Sequence, residues 1–216
     1  MARLKVGVLV SGRGSNLQAL IDAAADPAYP AEIVLVVSNV AGVPGLDRAH
    51  RAGIPATVVD HKGFRDRPSF EAALTTALRA AGVELVCLAG FMRVLTATFV
   101  EAWRDRLINI HPSLLPAFPG LNTHERAIAA GVRFGGCTVH YVRADIDAGP
   151  IIVQAAVPIA HNDTAEALAA RVLEAEHRAF PLALRLIAEG RVWVVGDSVR
   201  INAAAAPAGF ALNPPG

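Results

Sequence analysis

The chain is poor in the features that announce a partner by composition alone. It has two cysteines in 216 residues, Cys87 in LVCLAG and Cys137 in GGCTVHY. Each stands alone inside an apolar or β-branched run, so a disulfide framework is excluded, buried free thiols are expected, and a reducing cytoplasm fits. No CxxC or HExxH spacing occurs, so no metal site is expected. Nor does one sign of charge dominate: 20 Lys and Arg oppose 19 Asp and Glu. Without a basic stripe, nucleic acid is not an expected partner. The opening MARLKVGVLVSGRGS has too brief an apolar run for a signal peptide, and no later stretch approaches a membrane span. The chain therefore reads as soluble and cytoplasmic, with no membrane partner. What it has is apolar bulk, 53% of residues, enough for one large domain with a sizeable core.

Through the first half, apolar β-branched runs alternate with helical patterns. Residues 6–10, 32–38, 56–60, 84–90 and 107–111 read as strands, continuous rather than alternating in polarity, as strands covered on both faces are. NLQALIDAAAD, PGLDRAHRAG and FEAALTTALRAAG between them read as helices; in the last, Phe70, Leu74, Ala77, Leu78 and Ala81 make one face. This pattern predicts an α/β, Rossmann-like open sheet, mostly parallel, with helices on both faces. The second half adds antiparallel strands: TVHYV and PIIVQAAVPI flank the turn-rich RADIDAGP. A long helix is expected from Asp163-Thr-Ala-Glu166, a capping-box-like opening, to about Glu189, with a kink at Pro181. RVWVVGDSVRI reads as a final hairpin turning at Gly196-Asp197, and residues 203–216 as a flexible tail.

Several positions suggest chemistry. SGRGSN, Ser11 to Asn16, lies between the first strand and first helix, where glycines admit a ligand and helix-end N–H groups favour an anion. Leu17 occupies the third glycine position of GxGxxG and no GK[ST] follows, so a dinucleotide or triphosphate loop is excluded; a single phosphate site or a plain tight turn remains. In LINIHPSLLPAFPG, Asn109 and His111 share one side of a strand and sit at its carboxyl end, where open parallel sheets bind ligands. An amide can donate to a developing oxyanion and an imidazole can move protons at neutral pH; the competing reading is a strand-end cap and a satisfied core histidine. A carboxylate from ADIDAGP, Asp147 or Asp145, could orient the imidazole or form an Asx turn. Glu176 falls within the apolar stripe of Leu168, Val172, Ala179 and Leu186, where a carboxylate needs a partner, a ligand, or a route to solvent.

Together SGRGSN, LAGFMRVL (88–95), INIHPSLLPAFPGLNTHERAI (108–128) and GGCTVHYVRADIDAGPII (135–152) resemble the glycinamide ribonucleotide formyltransferases, in order and spacing, as far as EAEH (174–177). The resemblance implies transfer of a formyl group from 10-formyltetrahydrofolate, as co-substrate, to the amine of glycinamide ribonucleotide, in purine synthesis and without a metal. It implies a catalytic trio of Asn109, His111 and Asp147, and ribonucleotide contacts from Gly14, Ser15, Asn16 and Glu176. It places the folate along Met92, Arg93, Val94 and Leu95, against Asn109, and along Arg143, Ala144, Asp145, Ile146 and Asp147, with Arg67 near its anionic tail. Leu173, a turn before Glu176, can be polar in relatives, which bears on affinity rather than on the reaction. The implied layout is one domain over residues 1–202, with a ribonucleotide-binding half (1–111) and a folate-binding, catalytic half (112–202). Methionyl-tRNA formyltransferases share the NxHPSLLP and DxG motifs but usually add a C-terminal domain and an RGAAP-like stretch, where this chain has AFPGLNTHERAI. Formyltetrahydrofolate hydrolases add a regulatory domain before the first strand. The partners expected are the two small molecules; a weakly apolar edge strand or the tail would serve a monomer or a homodimer equally. His111 or a water ordered by Asp147 would relay the proton.

Overall fold

A computed structural model describes residues 2–202 and 211–214. Seven strands make the main sheet: β1 (Leu4–Val10), β2 (Ala31–Ser38), β3 (Ala56–Val58), β4 (Leu85–Leu88), β5 (Leu107–His111), β6 (Phe134–Tyr141) and β7 (Ile151–Pro158). Their spatial order is β3-β2-β1-β4-β5-β6-β7. The first five pair in parallel, and β5–β6 and β6–β7 pair antiparallel. Connections leave β1 toward β2 on one side, and toward β5 through β4 on the other. The crevice at the carboxyl ends of β1 and β4 is thus the topological switch point, the usual ligand position in such sheets.

Six helices cover the sheet: α1 (Ser15–Ala24), α2 (Pro44–Arg51), α3 (Arg67–Ala80), α4 (Ala97–Ala102), α5 (Thr123–Ala129) and α6 (Ala165–Ala188). The period-two alternation of strand side chains sorts the core into two layers. Val6, Val8 and Val10 pack with Leu17 and Leu20 of α1 and with Leu168, Val172 and Phe180 of α6. Leu9 packs on the other face with Phe70, Leu74 and Leu78 of α3 and Phe99 of α4. Each such side chain taken wholly out of water contributes about 1.5–3 kcal/mol. The same alternation turns Ile108 and Ile110 toward the α6 layer and Leu107 toward the α3 layer. Asn109 and His111 share Leu107's parity, so their polar groups are kept out of the α6 core.

The strands expected from sequence are all present, with β3 and β4 shorter than expected. The hairpin of β8 (Val192–Val195) and β9 (Ser198–Ile201) turns at Gly196-Asp197 and forms a separate sheet. Helices α4 and α5 were not anticipated, because at six and seven residues they are too short to show a period. The opening of α6 differs from expectation. Its cap is Thr164, which accepts from the Ala167 amide, while Asp163 pairs with Arg171 and accepts from the Ala160 amide. Helix α6 runs through Pro181 as one element, although the proline has no N–H for the preceding turn. In the expected flexible tail, residues 203–210 and 215–216 lie outside the described residues. Within it, Asn213 donates to the Ile159 carbonyl at 2.8 Å.

The β6–β7 connection, residues 142–150, returns tightly on itself. A Cβ at Gly149 would lie 1.6 Å from the Tyr141 carbonyl oxygen, a clash with backbone that no rotamer relieves. Gly149→Ala is expected to cost at least about 2 kcal/mol in urea denaturation, the scale of an overpacked core. Gly63→Ala serves as control, since a Cβ there meets nothing within 4 Å. Equal stability of the two variants would show that the connection is not held against β6.

Candidate active site

The antiparallel register of β5 and β6 builds the first part of the site. Asn109 stands opposite His140, and His111 opposite Thr138. Directly opposed residues share a face, so two polar residues from each strand make one patch. His140 is 1% exposed, and its Nδ1 lies 2.9 Å from the Tyr141 carbonyl oxygen. That oxygen only accepts, so Nδ1 carries the proton. Burial, the dominant effect, lowers the His140 pKa and keeps the ring neutral. Its Nε2 is then a bare acceptor, and Asn109 Nδ2 donates to it at 3.3 Å. The network therefore fixes which way the Asn109 amide faces, and its second N–H has no partner among the described residues. His140 was missed in the sequence; the signal available was the alternation of Thr138 and His140 in CTVHY.

The second part is Asp147, from the loop before β7. Its Oδ2 accepts from the Gly120 amide at 2.8 Å and lies 3.3 Å from His111 Nδ1. Its Oδ1 is 3.9 Å from His140 Nε2, beyond hydrogen-bond reach of a neutral ring. Asp147 adopts φ 54°, a left-handed conformation uncommon outside glycine, which brings the carboxylate over His111. Asp145, the alternative, is exposed and makes no contact with His111. The other nitrogen of His111, Nε2, lies 3.1 Å from the Phe118 carbonyl oxygen. Thr138 braces the proline-rich segment after β5, donating to the Ser113 carbonyl at 2.7 Å and accepting from the Leu115 amide at 3.0 Å. Asn109, His111 and Asp147 are thus brought together.

The third part is the glycine bend before α1. Gly14 caps this helix with φ 70° and no side-chain acceptor, so the first N–H groups of α1 are uncapped. The bend is seated on α2: a Cβ on Gly14 would lie 2.7 Å from the Gly45 Cα, and Arg48 Nε donates to the Arg13 carbonyl at 2.9 Å. Ser15 and Asn16 follow as the first helical residues. Asn16 Nδ2 donates to Glu176 Oε2 at 2.7 Å, joining α1 to α6, while Asn16 Oδ1 is buried without a partner among the described residues. Beside the bend a cavity of about 320 Å³ is lined by Ser15, Gln18, Arg48 and His177. Leu173, one turn before Glu176, is half-buried.

The fourth part comprises two segments flanking the trio, each partly exposed, although Leu95 of the first is buried in the α3 layer. Met92 and Val94 on one and Ile146 on the other are exposed apolar side chains. Among the described residues, Arg93, Val94 and Leu95 make no hydrogen bonds. Arg143 pairs with Asp105 at 2.6 Å and, with Ala144 and Asp145, lines a cavity of about 580 Å³ whose opposite wall is Val100 and Glu101. Arg67 stands apart, exposed in the first turn of α3 and bonded to none of the other candidates.

Glu176 is 7% exposed, so it does not take the route to solvent that its place at the apolar stripe left open. Burial raises its pKa above the ordinary 4.5, opposed by the Asn16 hydrogen bond. The unfolded chain therefore releases this proton at lower pH than the folded chain. Stability present below 4.5 is lost as the pH climbs from there through the raised value. Glu176→Gln is expected to lack this loss and to gain stability over wild type at neutral pH, read by urea titrations in acid and at neutrality. Parallel pH dependence of the two proteins would contradict a buried ionising group.

Residues 4–184 match the family model described as "Formyl transferase". The chain is 41% identical over 203 residues to phosphoribosylglycinamide formyltransferase of Haemophilus influenzae, covering 94% of this chain and 96% of that protein. It is 56% identical over 199 residues to the trifunctional purine biosynthetic protein adenosine-3 of Gallus gallus, covering 92% of this chain. It spans only 20% of the length of that larger relative. The crystal structure of glycinamide ribonucleotide transformylase 1 from Symbiobacterium toebii superposes with a TM-score of 0.90 at 49% identity, covering 92% of this chain and 94% of that one. The sheet order, the converging polar groups and these similarities agree: the chain belongs to the formyl transferase family, among the phosphoribosylglycinamide formyltransferases.

Proposed function

We propose that this chain transfers the formyl group of 10-formyltetrahydrofolate to the amine of glycinamide ribonucleotide, in purine biosynthesis. The observation that carries the reading is the convergence of Asn109, His111 and Asp147 from two distant segments, with an uncapped helix N-terminus after β1, separated from β5 by β4 alone. The amine lone pair attacks the formyl carbon, and the carbonyl electrons move onto oxygen. Asn109 donates its free N–H to that oxyanion. A His111 ring protonated on both nitrogens satisfies Asp147 with Nδ1, and its Nε2–H exchanges the Phe118 carbonyl for the oxyanion. The intermediate collapses by breaking the carbon–nitrogen bond to the folate, and a proton passes from the attacking amine to the departing nitrogen. The amine is a competent nucleophile, so no covalent enzyme intermediate is needed.

The flanking features support the two substrates. Uncapped N–H groups at Gly14, Ser15 and Asn16 suit a phosphate monoester. Glu176 Oε1 and the unpartnered Asn16 Oδ1 are acceptors for sugar hydroxyls. The free backbone groups of Arg93 to Leu95, between the exposed Met92, Val94 and Ile146, suit a flat heterocycle with polar edges. Arg67 is an exposed cation for the carboxylates of the folate tail.

Asn109→Ala is expected to lower kcat by about 10²–10³, the usual scale for one lost oxyanion donor, and His111→Ala by at least as much. Near-normal turnover of either at saturating substrates would contradict these roles. Donor consumption, followed by absorbance with and without glycinamide ribonucleotide, tests the reaction itself. Consumption that requires the amine is expected; consumption in water alone would mark a hydrolase, and none a binding protein.

A further inference from the structure

Residues Gly90–Thr96, which join β4 to α4, belong to no helix or strand, yet they carry the exposed face proposed for the folate. A segment with no ladder bonds keeps its shape only if something else holds it. Its hydrogen bonds lie at its two ends. At the first, the Ser11 amide donates to the Gly90 carbonyl at 3.1 Å, and the Met92 amide donates to Ser11 Oγ at 2.8 Å. At the second, the Thr96 amide donates to Glu71 Oε1 at 2.8 Å, and the Thr96 hydroxyl donates to Glu71 Oε2. Thr96 also caps α4, accepting from the Phe99 amide.

The Glu71 anchor is not an ordinary surface contact. Glu71 is a carboxylate 4% exposed on the apolar face of α3, beside Phe70 and Leu74. A carboxylate buried there costs stability unless both oxygens are bonded, and Thr96 bonds both. The Ser11 hydroxyl is equally committed: it donates to Oδ1 of the buried Asn39 and accepts from Met92. Ser11 also opens the glycine bend that runs to the N-terminus of α1. It lies at the carboxyl end of β1, and Met92 follows β4, so this bond bridges the two lips of the switch-point crevice.

We propose that Ser11 and Glu71 are positioning residues that clamp the two ends of the Gly90–Thr96 strap. Glu71 sets the folate wall alone, whereas Ser11 links that wall to the ribonucleotide bend, so that ordering either loop orders the other. This assignment rests on the two-substrate reading above. It separates the two anchors by which substrate each affects, a distinction that loss of packing would not produce.

The test is steady-state kinetics with each substrate varied in turn, alongside thermal unfolding. Glu71→Gln is expected to raise the KM for 10-formyltetrahydrofolate about tenfold, the scale of a lost hydrogen bond to a charged group, while the ribonucleotide KM stays within about twofold. Ser11→Ala is expected to raise both KM values. Thr96→Ser, which keeps the amide and the hydroxyl, is expected to retain the wild-type folate KM. Should Glu71→Gln fail to fold, Thr96→Val removes one of its two bonds and is expected to show the same selective rise. An unchanged folate KM in a folded variant, or a parallel rise of both KM values in Glu71→Gln, would overturn the clamp. Absence of amine-dependent turnover in the wild type would instead overturn the underlying reading.

Discussion

The antiparallel pairing of β5 with β6 is the constraint on which the site depends. In a wholly parallel sheet, Asn109 and His111 would stand on a strand end with no polar partner beside them. The reversal at β6 puts His140 opposite Asn109 and Thr138 opposite His111. A slip of one residue would send both β6 groups into the α6 core and replace them with Val139 and Tyr141. The apolar layers forbid that slip, because Cys137, Val139 and Tyr141 are already packed with α6. Core packing therefore specifies the chemistry at one remove: it fixes the register, the register fixes the His140 contact, and that contact fixes the Asn109 amide.

Charge is managed differently around the trio and at the bend. Around the trio, burial keeps His140 neutral while Asp147 faces His111. At the bend, burial acts against Glu176, whose one hydrogen-bond partner among the described residues is the Asn16 amide. A carboxylate left with one bond in an apolar stripe costs stability in the free protein. Cys87 and Cys137 belong to the core instead; burial raises both thiols, Cys137 to about 12, which removes them from nucleophilic chemistry at neutral pH. No helix among the described residues is long and apolar enough to cross a membrane.

Much of this was legible in the sequence because it rests on local pattern. Continuous β-branched runs marked the buried strands, the parity of Asn109 and His111 marked their shared side, and Glu176 stood out as a carboxylate in an apolar stripe. Asp147 and Asp145 could not be separated by spacing, because a left-handed backbone at Asp147, rather than strand parity, turns its carboxylate to His111. His140, Ser11 and Glu71 were silent for a related reason. Each acts through a partner between 25 and 81 residues away, and no short-range pattern records such a pairing. Glu71 was masked further, because next to Phe70 in sequence it reads as an ordinary helix-surface acid although it is buried. The α6 cap was misplaced by one residue because Asp163 and Thr164 are both good caps, and Arg171 claims the aspartate.

In the proposed mechanism an anion binds at the α1 bend while the reacting carbonyl lies between Asn109 and His111. A crystal structure with glycinamide ribonucleotide and an unreactive analogue of the formyl folate tests it most directly. The account expects the phosphate on the amides of Gly14 to Asn16, and the analogue's carbonyl oxygen within hydrogen-bond reach of Asn109 Nδ2 and His111 Nε2, with Phe118 released. A phosphate bound elsewhere, or a carbonyl out of reach of both side chains, would contradict it.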